Sequence, residues 1–107
     1  MENERRLAPR HMFIAAAEVM DENVGSRLPS RVSDLSVHGC YLDTINPFCE
    51  GTPVRVKITN AAQHFEAQAT VVYSVLHLGM GIRFRDIAPE QEAVLQSWLP
   101  KSTAQHA

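Results

Sequence analysis

The chain has 107 residues and a net charge of −2, with 45% hydrophobic and 21% charged residues. These values are typical of one globular domain with one core, and they exclude a wholly disordered chain. The acidic balance argues against a general DNA- or RNA-coating protein, and no apolar run reaches the roughly 20 residues of a transmembrane helix.

The N-terminal and cysteine patterns indicate the compartment. The first residues lack the basic region and apolar core of a signal peptide, so we expect a cytoplasmic protein without membrane insertion. Cys40 and Cys49 are too few for a disulfide scaffold, and the five histidines show no metal-ligand spacing. We therefore expect reduced thiols and no bound metal.

The first half of the chain combines a basic arm with short extended segments. Residues 1–11 are polar and basic, and we predict that they form a mobile arm. Residues 12–20 are rich in apolar side chains, and residues 21–26 have the composition of a loop. A strand is predicted at residues 27–35, followed by a turn at Ser36 to His38 and a further strand that begins at Gly39.

The second half shows the period of two that is typical of half-buried strands. Apolar and polar side chains alternate in residues 54–59, 65–75 and 80–85, and the polar stretch at residues 60–64 predicts a hairpin between the first two. In the middle segment one face is predicted to carry Phe65, Ala67, Ala69, Val71, Tyr73 and Val75.

The period changes to that of a helix near the C-terminus. Pro89 suits a first helical turn, and Pro100 ends the pattern. One helical face carries Val94, Leu95, Trp98 and Leu99. We therefore predict an all-β-dominated fold over residues 12–100, namely a six-stranded antiparallel β-barrel whose opening is covered by a C-terminal α-helix, with a tail at residues 101–107.

Two short runs carry chemistry suited to a ligand that contains guanine and phosphate. In the RLAPR run, Arg6 and Arg10 supply planar forks of N–H donors that fit phosphate oxygens or the O6/N7 edge of guanine. In the DLSVHG run, Asp34 can accept from the N1–H and N2–H groups of guanine, and Ser36 adds a hydroxyl. Gly39 has no Cβ that would hold a ligand away from the backbone. Turn capping and a solvated basic terminus are the structural alternatives for these residues.

In order and spacing these runs resemble the PilZ domain family of bacterial cyclic di-GMP receptors. The family pattern is an RxxxR arm followed by a (D/N)xSxxG strand and turn, on a six-stranded split barrel with a C-terminal helix. Arg6 and Arg10 match the first motif, and Asp34, Ser36 and Gly39 match the second. Residues 79–84 also look like the late strand of the family.

The resemblance implies the ligand and the role of each matched residue. Cyclic di-GMP would be clamped by Arg6 and Arg10 and read by Asp34, with Ser36 as a further hydrogen-bonding group. Arg5 precedes the first motif, as in members that take an intercalated ligand dimer, so we expect two ligands in the site. No cofactor is implied, and ligand binding would order the arm and signal to a separate, unidentified protein.

Three other functions are compatible with parts of the sequence. Asp34, Ser36 and His38 are the residue types of a hydrolase triad, but alternate strand positions lie about 7 Å apart, and we do not expect an enzyme. A small barrel that binds single-stranded nucleic acid is a second alternative, which the low aromatic content disfavours. A protein-interaction module without a ligand is the third.

Overall fold

Six β-strands followed by one α-helix form the part of the chain that the computed structural model describes, residues 10–100. The elements are β1 His11–Asp21, β2 Arg27–Leu35, β3 Gly39–Asp43, β4 Pro53–Asn60, β5 Gln63–Val75, β6 Gly79–Asp86 and α1 Pro89–Trp98. His11, which the sequence analysis assigned to the arm, is the first residue of β1. Arg5, Arg6 and the predicted tail lie outside the described residues.

The strands close into a barrel in the order β1-β2-β3-β6-β5-β4, and every neighbouring pair, including β1 with β4, is antiparallel. The predicted fold class is therefore confirmed. Inward side chains fill the barrel because apolar residues occupy alternate positions along each strand. The largest fully buried side chains are those of Phe65, Leu35, Leu42, Ile58, Met80 and Leu95.

The outer half of β5 departs from the predicted alternation. Its pairing with β6 shifts register between Val71 and Tyr73, so that Val72 is an extra residue in a β-bulge. A bulge moves the residues that follow it to the other face of the sheet. Tyr73 and Val75 are consequently 39% and 42% exposed, and the prediction that they share the buried face of Phe65 is wrong.

Helix α1 covers one end of the barrel through the face that the sequence predicted. Leu95 is fully buried, while Val94, Trp98 and Leu99 pack against the core. The Trp98 ring stacks on Phe13 of β1 at a centroid distance of 5.2 Å, and its indole N–H donates to the Gln63 side-chain oxygen over 2.9 Å. These contacts tie the helix to the starts of β1 and β5. No helix within residues 10–100 is long and apolar enough to cross a membrane.

Only one of the two cysteines is expected to react with a thiol reagent in the folded protein. Cys49 is exposed, whereas Cys40 lies in the core, where burial raises the pKa of its thiol far above the ordinary value and the charge of Asp34 adds to the effect. Since the thiolate is the reactive form, Cys40 should stay inert at alkaline pH. Titration with an aromatic disulfide reagent should label one thiol in native buffer and both in denaturant.

The matched variant for this titration is Cys49→Ser, which should abolish the native reaction. Fast labelling of Cys40 in the native protein would contradict its place in the core.

Candidate functional site

Two of the predicted site residues meet on the outer surface of the barrel. Arg10 precedes β1 and Asp34 lies near the end of β2, where the two strands pair through Met12 and Asp34. The guanidinium donates to the carboxylate twice, with Nε to Oδ1 at 3.2 Å and Nη2 to Oδ2 at 3.1 Å. This contact raises the pKa of Arg10 above its ordinary value, so that the side chain stays charged. The nearby Tyr73 hydroxyl adds to this rise in the pKa of Arg10.

The Arg10–Asp34 pair is accessible to solvent, since the two side chains are 48% and 28% exposed. Ion pairs at such positions contribute about 0–1 kcal/mol to stability, because water screens the charges and both side chains lose freedom. A ligand with its own donors and acceptors can therefore replace this pair at low cost. Chemically, the pair offers a planar donor fork beside a planar acceptor.

The hydroxyl of Ser36 is engaged by the turn that follows β2. Its Oγ accepts from the backbone N–H of His38 at 3.1 Å and of Gly39 at 3.3 Å, while the Ser36 N–H donates to the Gly39 carbonyl at 2.9 Å. Ser36 is only 5% exposed. The arrangement is that of a capping side chain, and a direct contact of Ser36 with a ligand stays a prediction.

Gly39 is required by the close approach of β3 and β6. A Cβ at this position would lie 2.0 Å from the carbonyl oxygen of Ile82, which is backbone and cannot move aside. The Phe84 N–H also donates to the His38 carbonyl at 2.8 Å, so the turn is fastened to β6. Within residues 10–100, the non-glycine residues with positive φ are Ala61 and His77, so His38 needs no left-handed conformation.

Two tyrosines beside the ion pair were not assigned to the site from the sequence. Tyr41 pairs with Asp34 across β2 and β3, and both Tyr41 and Tyr73 pair with Gly81 of β6. The two rings stack with centroids 6.1 Å apart and an interplanar angle of 28°. Asp34, Tyr41, Gly81 and Tyr73 thus form one cross-strand row on the outer surface.

The environment of Tyr41 keeps its phenol protonated. Burial raises the pKa of Tyr41, and the neighbouring Tyr73, Asp43 and Asp34 add to the effect. The hydroxyl is therefore a hydrogen-bond donor over the ordinary pH range. One sequence signal could have indicated this pair of rings: Gly79 and Gly81 leave two successive outward positions of β6 without a side chain.

A further cation lies on the same outer surface. Arg83 is exposed and pairs with Gly39 across β3 and β6. Its side chain makes no hydrogen bond or ion pair within the described part of the chain. Positive charge without a carboxylate partner is available here to an anionic ligand.

The described residues do not assemble the hydrolase triad that the sequence left as an alternative. The Ser36 hydroxyl bonds to backbone groups and the Asp34 carboxylate engages Arg10. No cluster of three or more metal-ligating side chains occurs among residues 10–100. Of the predicted site residues, Arg10 and Asp34 are in contact, Ser36 and Gly39 form the adjoining turn, and Arg5 and Arg6 are not described.

Comparison with known proteins gives one family and several similar folds. The family model described as "PilZ domain" matches residues 4–100. The Bacillus subtilis inhibitor of motility, MotI/DgrA, is 16% identical with a TM-score of 0.71, over 94% of this chain and 52% of that chain. YcgR from Escherichia coli in complex with c-di-GMP is 20% identical with a TM-score of 0.72, over 87% of this chain and 43% of that chain.

A shorter solved structure, the PilZ domain of YcgR from Escherichia coli with c-di-GMP, is 19% identical with a TM-score of 0.69. Here the match covers 86% of both chains. The chain therefore spans about half of the first two proteins and most of the isolated domain. No curated protein sequence matches the chain.

Replacing the Ser36 hydroxyl should destabilise the protein in the absence of any ligand. Ser36→Ala leaves the buried N–H of Gly39 and the partly buried N–H of His38 without this acceptor, which costs about 1–3 kcal/mol of unfolding free energy. Ser33→Ala is the matched control, because the Ser33 side chain makes no hydrogen bond within the described residues. Denaturant unfolding measures both variants, and equal stability of the two would contradict the capping role.

Proposed function

The chain belongs to the PilZ domain family, and we propose that it is a cyclic di-GMP receptor that signals to a separate partner protein. The observation that carries this proposal is the contact between Arg10 and Asp34, which brings one residue of each ligand motif together on an open surface. Two similar solved structures are described as holding c-di-GMP, which supports the same ligand here.

The ligand would exchange places with the Arg10–Asp34 ion pair. Asp34 accepts from guanine N1–H and N2–H, a donor pattern that adenine lacks, and Arg10 turns to guanine O6 and N7 or to a phosphate. Each charged group thereby leaves one partner for another and is never left unpaired. Arg83 lies on the same surface and is available to a second phosphate.

The arm would supply the remaining contacts. Residues 1–9 contain Arg6, which completes the RxxxR motif, and Arg5, whose guanidinium can stack on a guanine plane. We propose that ligand binding orders this arm against the barrel and that Arg5 favours an intercalated ligand dimer. An order–disorder change of this kind transmits a signal without catalysis.

An exposed aliphatic cluster supports the proposal of a protein partner. Ile45, Leu76 and Leu78 are 66%, 65% and 62% exposed. Backbone hydrogen bonds from His77 to Ile45 and from Thr44 to Leu78 hold the two loops side by side. The cluster continues from the outer end of β5, close to Tyr73. Contiguous apolar surface of this kind is typical of protein–protein contacts.

We place the signalling event in the cytoplasm.

Single-stranded nucleic acid is the second candidate ligand. The observation that favours it is the pair of stacked tyrosines near Arg10, of which Tyr73 is exposed, since stacking rings and a nearby cation bind unpaired bases. The same calorimetric experiment distinguishes the two ligands.

Isothermal titration calorimetry of the ligand-free chain should show saturable binding of cyclic di-GMP. Cyclic di-AMP, GTP and a short oligonucleotide should give no comparable heat, because they lack the paired guanines or the compact diphosphate ring. The molar ratio tests whether two ligands enter the site. No heat with cyclic di-GMP would overturn the proposed function, and saturable binding of the oligonucleotide alone would favour the second candidate.

Arg10→Ala is expected to lose micromolar binding while the ligand-free protein keeps its stability. A bidentate arginine–guanine contact is worth about 1–3 kcal/mol, whereas the lost ion pair contributes about 0–1 kcal/mol. Arg6→Ala should weaken binding in the same way. The matched control is Arg31→Ala, which breaks the Arg31–Asp43 pair of 3.2 Å between β2 and β3. Calorimetry measures the loss of binding and thermal melting measures the loss of stability. A large loss of ligand-free stability in Arg10→Ala would instead indicate that the arm has a structural role.

Asp34→Asn should weaken cyclic di-GMP binding about tenfold or more, because the amide can accept only one of the two guanine donors and its NH₂ opposes the other. The control Asp43→Asn removes another cross-strand carboxylate, the partner of Arg31, and should bind as the wild type does. Unchanged affinity of the Asp34 variant would show that this carboxylate does not read guanine.

A further inference from the structure

We propose that Tyr73, backed by Tyr41, forms a stacking platform for one guanine base and so contributes to the specificity of the site. The inference rests on the proposed cyclic di-GMP function and adds a contact that neither ligand motif contains. It is carried by the placement of the two rings, their exposure and the glycines beneath them.

The position of Tyr73 follows from the bulge in β5. The extra residue at Val72 turns Tyr73 from the core to the outer surface, where the side chain is 39% exposed. Three strand spacings separate β2 from β5, which amounts to about 14 Å. Asp34, Tyr41, Gly81 and Tyr73 nevertheless form one continuous cross-strand row on the outer surface, so the ion pair and the ring are within reach of one bound cyclic dinucleotide.

Two glycines of β6 hold the platform against the sheet. A Cβ at Gly81 would lie 2.2 Å from Cε1 of Tyr73, and a Cβ at Gly79 would lie 2.7 Å from the hydroxyl oxygen of Tyr41. The rings occupy the space that side chains would otherwise fill. Because they also stack on each other, little conformational freedom is left to lose when a base binds.

The ring and the ion pair recognise different parts of a purine. Arg10 and Asp34 act in the plane of the base through its polar edges, whereas an aromatic ring contacts the face. A purine held by its edges beside Tyr73 therefore gains a second, independent contact. Tyr73 covers Gly81 and is still 39% exposed, so part of the residue remains available to a base.

The test compares Tyr73→Ala and Tyr73→Phe by calorimetry with cyclic di-GMP and by NMR of the bound ligand. Tyr73→Ala should raise Kd about tenfold or more, the effect expected when a base loses its aromatic partner. Tyr73→Phe keeps the ring and should bind nearly as the wild type does. The guanine H8 resonance should move upfield on binding to the wild type and to Tyr73→Phe, and this ring-current shift should be lost in Tyr73→Ala.

Val72→Ala is the matched control, since Val72 is the neighbouring exposed residue of the same bulge and should leave Kd unchanged. Thermal melting of the ligand-free variants shows whether each is folded. If the wild type binds cyclic di-GMP but Tyr73→Ala keeps the wild-type Kd or the wild-type H8 shift, the platform is overturned and the proposed function stands. No binding by the wild type would overturn the proposed function and the platform with it.

Discussion

The seam between β3 and β6 imposes the constraint on which the candidate site depends, because side chains are excluded from three positions along it. At Gly39 a Cβ would meet the backbone of β6, and at Gly79 it would meet the Leu42 carbonyl as well as a tyrosine. At Gly81 it would meet the ring of Tyr73. One set of glycines therefore fixes the turn after β2 at one end of the seam and seats the aromatic rings at the other.

The Arg10–Asp34 ion pair beside this seam is partly exposed and contributes little to folding, which suits the ligand exchange that we propose. Arg10 and Asp34 are charged and partly exposed, and each already has the geometry that a guanine edge requires. In the absence of ligand they satisfy each other, which avoids an isolated charge beside the tyrosines. A ligand that presents both donors and acceptors can take both positions at once, whereas a simple anion would compete for Arg10 alone. In the proposed complex, selectivity for guanine would therefore come from the pairing of Arg10 with Asp34 as well as from each residue.

Much of the fold could be predicted from the sequence, because alternation and helical period report directly on burial. The strands, the hairpin and the buried face of α1 follow from these patterns. The bulge at Val72 could not be predicted in this way, since apolar residues still occupy every second position through Tyr73 and Val75 and Val72 itself is apolar. Register against β6 decides which face these residues take, and that depends on contacts distant in sequence. For the same reason the motif residue Ser36 was recognisable, while the engagement of its hydroxyl by the turn was not.

Closure of the barrel restricts how a bound ligand can act on the rest of the molecule. All six strands are paired on both sides and the interior is filled by apolar side chains, so residues 10–100 offer no sheet edge for another chain to join. Packed cores of this kind resist small deformations. A ligand on the outer surface would therefore change mainly the described groups that lie beside it, namely the tyrosine rings and the neighbouring aliphatic loops. In the proposed function, a partner would recognise a composite of ligand, arm and barrel surface, and a site on the outer face of a closed barrel is accessible to such a partner.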